Sequence, residues 1–141
     1  MSDTPPVPRI LVVDDEPNIR ITLARALEDM AQVDTAANGE EALARIEAGE
    51  YRVALLDLKM PGMGGMEVLR RMAVARPEIR FVIITAHGTA DNAVEAMRLG
   101  TADYLQKPFS PAEIRDLVRR ILARESLEPD QEKGPSHLEE P

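Results

Sequence analysis

Four short apolar runs in this chain each stop at a polar residue, and their spacing constrains the fold more than any other feature. Ile10-Leu11-Val12-Val13 ends at Asp14 and Asp15, Val53-Ala54-Leu55-Leu56 at Asp57, Phe81-Val82-Ile83-Ile84 at Thr85, and the shorter Tyr104-Leu105-Gln106 at Lys107. Runs that are apolar at consecutive positions suit strands covered on both faces, and the segments between them carry helical periodicity. Strand and helix alternate five times between Arg9 and Arg124, which predicts an α/β chain with a doubly wound parallel sheet. Ligands of such open sheets bind beyond the carboxyl ends of the strands. The polar residues therefore converge on one site of three carboxylates, a hydroxyl and an ammonium. That set suits a divalent cation together with a phosphoryl group, because the acids call for a metal and phosphoryl oxygens call for donors.

The helical segments can be placed from their apolar spacing and their ends. A first helix after Pro17 buries Ile19, Leu23, Ala26, Leu27 and Met30, and Gln32 opens a second strand at Val33 to Ala36. Asn38 caps a second helix carrying Ala42, Leu43 and Ile46, which stops at Gly49, read as a C-terminal cap with positive φ. A loop from Lys59 to Gly65 leads to a third helix with Met66, Leu69, Met72 and Ala73 on one face, ended by Arg76-Pro77. The fourth helix is weakly apolar, with Ala93, Val94 and Met97, and ends at Gly100. The fifth starts at Ser110-Pro111, a cap followed by proline at the first helical position, and repeats Ile114, Leu117, Val118, Ile121 and Leu122. Residues 1–8 read as a flexible leader, 9–124 as one domain, and 125–141, acidic and punctuated by Pro129, Pro135 and Pro141, as a disordered tail or the start of an interdomain linker.

Composition narrows the partners. A net charge of -8 disfavours direct contact with nucleic acid or an anionic membrane, which both demand an electropositive face. With no cysteine, disulfides, thiolate metal sites and thiol catalysis are excluded. No segment approaches the ~18 apolar residues of a membrane span and the N-terminus lacks a secretory signal, so a cytoplasmic location is expected. The Arg115, Arg119, Arg120 and Arg124 stripe on the last helix reads as a solvated face, or as one half of reciprocal ion pairs with Asp91, Glu95 and Asp103 across a twofold dimer.

The chain resembles the receiver domain of two-component response regulators over about residues 9 to 124. The resemblance rests on Val12-Val13-Asp14-Asp15-Glu16, Leu56-Asp57-Leu58-Lys59-Met60-Pro61-Gly62, Ile84-Thr85-Ala86-His87-Gly88 and Tyr104-Leu105-Gln106-Lys107-Pro108-Phe109. The wording around Met60 to Met66 and His87 to Met97 is most like receivers of enhancer-binding, NtrC-type transcription activators. The resemblance implies a flavodoxin-like (βα)5 fold in which Asp57 takes a phosphoryl group from the phosphohistidine of a sensor histidine kinase or phosphotransfer protein. It also implies Mg²⁺ held by Asp57, by Asp15 directly, by Asp14 through water, and by the backbone carbonyl of Lys59. Lys107, before a cis proline bond, would contact a phosphoryl oxygen. Thr85 and Tyr104 would switch the packing of the helix 4, strand 5 and helix 5 face, through which a homodimer can form. Lys59 and His87 would set the phosphoryl lifetime. Gly64 stands where many receivers have aspartate, so the third helix is expected to lack a carboxylate cap.

Such a module is no enzyme beyond self-catalysed acceptance and loss of phosphate. A second reading, an aspartate-nucleophile Mg²⁺ phosphohydrolase of the haloacid dehalogenase type, needs an acid two residues after the nucleophile, where this chain has Lys59. A nucleotide-binding enzyme needs phosphate-cradling glycines where Asp14-Asp15-Glu16 stand.

Overall fold

A computed structural model describes residues 7–86 and 89–127. Its elements are β1 (Arg9–Val13), α1 (Pro17–Leu27), β2 (Gln32–Ala36), α2 (Gly39–Ala48), β3 (Val53–Leu56), α3 (Gly65–Ala75), β4 (Arg80–Thr85), α4 (Ala90–Arg98), β5 (Asp103–Gln106) and α5 (Pro111–Leu127). All five strands pair in parallel in the order β2-β1-β3-β4-β5, the doubly wound flavodoxin-like topology expected from the sequence.

Consecutive apolar residues in each strand feed two separate cores, because side chains alternate between the faces of a sheet. Ile10, Val12, Val53, Leu55, Val82 and Ile84 pack with Leu23 and Leu27 of α1 and Ile114 and Val118 of α5. Leu11, Val13, Ala54, Leu56, Phe81 and Ile83 pack with Ile46 of α2, Val68 and Leu69 of α3 and Ala96 of α4. Each large side chain buried this way contributes about 1.5–3 kcal/mol. The register then levels the strand ends. Val13, Leu56, Ile83 and Tyr104 form one row across β1, β3, β4 and β5, so Asp14 and Asp57 emerge side by side just beyond it.

The caps follow the sequence reading, with added partners. The Asn38 side chain accepts from the Glu41 N–H at 2.8 Å, while Glu41 accepts from the Ala37 N–H at 2.7 Å. Ser110 and Glu113 form a reciprocal capping box, at 3.1 and 2.8 Å. Gly64 caps α3 without a side-chain bond, as expected.

One expectation needs correction. Gly49 does end α2, but with an extended backbone of φ -130° and not a positive φ. Positive φ is used instead at Gly100, φ 89°, just past α4. In α4 itself, Val94 and Met97 are 51% and 56% exposed and Ala96 is the buried residue. The helix rests on this small side chain, with Leu99 half-buried against the same core, and the bulkier pair is turned outward. In α3, Val68 joins Leu69 and Met72 in the core, while Met66 and Ala73 are half-buried.

Helix α5 continues to Leu127, past the boundary expected at Arg124. Residues 1–6 of the expected leader and 128–141 of the expected tail lie outside the described residues. Among the described residues, no helix is long and apolar enough to cross a membrane.

Candidate functional site

At the carboxyl end of the sheet, β1 and β3 present their aspartates through backbone bonds to neighbouring strands. The Asp14 N–H donates to the Ala36 carbonyl at 3.1 Å, and the Asp57 N–H to the Val13 carbonyl at 3.0 Å. Both side chains are nearly enclosed, with Asp14 2% and Asp57 5% exposed. Oxygens of Asp14, Asp57 and the exposed Asp15 lie within 4.8 Å of one another.

The Lys107 ammonium stands between the two buried acids. Its Nζ lies 2.8 Å from Asp14 Oδ2 and 3.3 Å from Asp57 Oδ2, with Glu16 Oε1 at 3.5 Å. The remaining Asp14 oxygen, Oδ1, accepts from the Glu16 N–H at 2.9 Å, and Asp57 Oδ1 accepts from the Lys59 N–H at 3.2 Å. Burial pushes the Asp14 carboxyl above its ordinary value, outweighing the lowering effect of the Lys107 hydrogen bond, and the nearby Asp57 charge adds to the rise. For Lys107, burial alone would lower the ammonium, but its bond to Asp14 and the charges of both aspartates hold it above the usual lysine value. Three hard oxygen donors with excess negative charge fit a divalent cation such as Mg²⁺, which keeps room for water and phosphate oxygens.

Thr85, at the end of β4, is fully buried, and its carbonyl accepts from the Lys107 N–H at 3.0 Å. The Lys107–Pro108 peptide that follows is cis. Tyr104 is half-buried and packs against the core formed with α2, α3 and α4. Its hydroxyl is enclosed and has no hydrogen-bond partner among the described residues, and burial raises its pKa. The ring is thus directed inward here. The Lys59 side chain points into solvent while its N–H serves Asp57. His87, expected to tune lifetime, lies outside the described residues.

Four further residues contribute in ways not assigned from sequence. Arg20 Nη1 donates to the Asp14 carbonyl at 2.8 Å. Glu16 shares Lys107, as given above. Gly64 and Gly65 let α3 start against the end of β3, because a Cβ would fall 2.7 Å from the Leu58 carbonyl oxygen at position 64 and 2.2 Å from that of Asp57 at position 65. Glu16 and Arg20 could have been suspected from their closeness in sequence to the aspartate pair; the glycine contacts depend on tertiary approach and leave no local signal. Beside Lys107, Ile19, Thr22, Ala86, Pro108 and Phe109 line a cavity of about 350 Å³. A larger cavity, about 720 Å³, lies around Arg9, Tyr51 and Arg76 and includes none of the site residues.

A five-stranded doubly wound sheet with an acid cluster and a lysine at its carboxyl edge defines the class of phosphorylation-linked signalling domains known as receivers. Residues 10–119 match the response regulator receiver domain family, and the chain belongs to it. It is 41% identical over 119 residues to sporulation initiation phosphotransferase F of Bacillus subtilis (strain 168), covering 84% of this chain and 96% of that protein. It is 40% identical over 139 residues to the alginate biosynthesis transcriptional regulatory protein AlgB of Pseudomonas aeruginosa, covering 93% of this chain but 31% of that one. Among solved structures, a CheY-like receiver domain protein from Methanospirillum hungatei JF-1 matches with a TM-score of 0.84 at 31% identity, over 87% of this chain and 99% of that one. The chain spans about half or less of the transcriptional regulators it resembles, 49% of ResD and 24% of NtrC.

Proposed function

We propose that Asp57 is the phosphoacceptor of a two-component system and that its phosphorylation switches the α4, β5 and α5 face. The observation that supports this most is the convergence of Asp14, Asp15 and Asp57 oxygens within 4.8 Å, with the Lys107 ammonium against two of them. In the transfer, an Asp57 oxygen attacks the phosphorus of a phosphohistidine on a sensor kinase or phosphotransfer protein. The P–N bond breaks, its electron pair stays on the imidazole nitrogen, and an acyl phosphate remains on Asp57. Asp14, Asp15, Asp57 and the Lys59 carbonyl would hold Mg²⁺, which neutralises the repulsion between carboxylate and phosphoryl oxygens. Lys107 supplies a fixed positive charge to a phosphoryl oxygen as charge develops. The Thr85 hydroxyl donates to another, and Tyr104, packed inward, belongs to the arrangement this favours. Water later cleaves the acyl phosphate, at a rate set by Lys59 and His87.

The apolar cavity next to Lys107, formed by α1 and the Pro108-Phe109 turn, suits the surface of the donor protein. The module acts in the cytoplasm within a regulator of the NtrC type, or alone, and dimerises through α4, β5 and α5. Such a dimer cannot draw on every charge named from sequence. Arg115 is held by Asp29 at 2.8 and 3.1 Å, Glu95 by Arg70 at 2.7 and 3.1 Å, and Arg119 by Asp116 at 3.2 Å, which leaves Asp91, Asp103, Arg120 and Arg124 as candidates. A phosphohydrolase reading gains no support, since no acid stands at position 59.

Intact mass after incubation with acetyl phosphate, with and without Mg²⁺, tests the proposal. An Mg²⁺-dependent, base-labile phosphoryl adduct absent from Asp57→Asn is expected. An adduct that persists in Asp57→Asn, or none in the parent, overturns it.

A further inference from the structure

We infer that Arg20 is a positioning residue for Asp15, setting the direction of that carboxylate by fixing the Asp14–Asp15 peptide. This rests on the proposed Mg²⁺ site and adds to it a residue that touches neither metal nor phosphoryl group.

The three acids of the site are not held equally. Asp14 is fixed through its N–H by Ala36, through Oδ1 by Glu16 and through Oδ2 by Lys107. Asp57 is fixed through its N–H by Val13 and through its two oxygens by Lys59 and Lys107. The Asp15 carboxylate is exposed and makes no hydrogen bond or ion pair among the described residues. What orients it is therefore its backbone, and the carbonyl that Arg20 grips at 2.8 Å is the oxygen of the peptide joining Asp14 to Asp15. Rotation of that peptide would swing the Asp15 Cα–Cβ bond away from the other two acids.

Arg20 is well placed to resist such rotation. Its own N–H and that of Ile19 both donate to the Glu16 carbonyl at 3.1 Å, which closes the first turn of α1 on the loop. The backbone of Arg20 thus holds the loop at Glu16 while its half-buried side chain reaches back to Asp14. A planar guanidinium loses less freedom per hydrogen bond than a lysine ammonium and keeps its charge at any working pH. Charge and bond pull in opposite directions here. A cation near the site weakens Mg²⁺ binding through repulsion, whereas an ordered Asp15 strengthens it. The two roles are separable by the sign of the effect.

Calorimetric titration of the full chain with Mg²⁺ provides the test, comparing the parent with Arg20→Ala and Arg20→Lys. Outer partners of metal ligands typically contribute 10–100-fold in affinity, so Arg20→Ala is expected to weaken Mg²⁺ binding by about tenfold. Arg20→Lys, which retains a donor of shorter reach, should recover part of that loss. Melting in Mg²⁺-free buffer reports the fold independently. Unchanged or tighter Mg²⁺ binding in Arg20→Ala overturns the inference and leaves the proposed function standing. Equal weakening in both variants overturns it too, since the donor would then be irrelevant. If the parent itself binds no Mg²⁺, the metal site fails and the inference falls with it.

Discussion

Single residues at this site divide into those whose chemistry is visible in their type and those whose effect depends on who approaches them. An aspartate at the end of an apolar run is conspicuous, and Asp14, Asp57 and Lys107 were all legible on that ground. Gly65 was not, because its importance lies in the Asp57 carbonyl that a side chain would meet at 2.2 Å. Overpacking of this kind costs typically 1–3 kcal/mol and here acts on backbone that cannot swing aside. Gly65→Ala should lower stability by at least about 1–3 kcal/mol in urea titration, and should slow phosphorylation by displacing Asp57; parent-like values in both would show that α3 can slide. A second residue-scale prediction concerns Asp34, away from the site. It accepts from the Tyr51 hydroxyl at 2.6 Å and from Arg9 at 2.8 Å. Burial alone would raise its carboxyl, but these two bonds outweigh it and hold the pKa below the ordinary 3.8. The unfolded chain then binds a proton more readily than the folded one. Stability from Asp34 is fully present above pH 3.8 and is lost as pH falls through the lower folded value. Urea midpoints measured down through that range should fall less steeply for Asp34→Asn than for the parent.

Elements with strong ends were readable, whereas the element with a weak apolar face was not. Helix α5 announces itself by Ser110-Pro111 and by a regular apolar repeat, and the capping box observed there predicts that Ser110→Ala costs about 1 kcal/mol in thermal or urea unfolding. Helix α4 offered only the weakly apolar set Ala93, Val94 and Met97, which marks no inner face. Packing sets the face, because Ala96 permits a close approach that Val94 and Met97 would block. A helix seated on so small a buried surface relies on other tethers. The bidentate bond from Arg70 of α3 to Glu95 of α4 is one, and Glu95 is held below its ordinary pKa by that bond. Both side chains are solvent-exposed, so the effect on global stability should be small. Local opening is the sensitive measure. Glu95→Gln should raise amide exchange across α4 several-fold while leaving α5 unchanged; equal protection in parent and variant would show that the bond does not restrain the helix.

At the scale of the molecule, the parallel register is what converts scattered residues into a site, and it was legible because continuous apolar runs with intervening helices admit few arrangements. The same register sets where a change at Asp57 can be felt. Lys107 binds both Asp14 and Asp57 through its side chain and Thr85 through its backbone, so a phosphoryl group that draws the ammonium from Asp14 acts on the paired ends of β4 and β5. Tyr104, whose enclosed hydroxyl has no partner among the described residues, lies on β5 in the row that ends beneath those groups, and α4 sits between β4 and β5 in the chain. On the other side, among the described residues, β2 contributes to the site only the Ala36 carbonyl that receives the Asp14 N–H. The physical links are therefore lopsided. Phosphorylation should alter hydrogen exchange mainly in β4, α4 and β5, with β2 and α2 close to their unphosphorylated values, since local units of low stability respond first. Comparison of the chain with and without acetyl phosphate in Mg²⁺, using Asp57→Asn as the reference, measures this. Changes spread evenly over both edges of the sheet would mean that the signal travels through the shared core and not through Lys107.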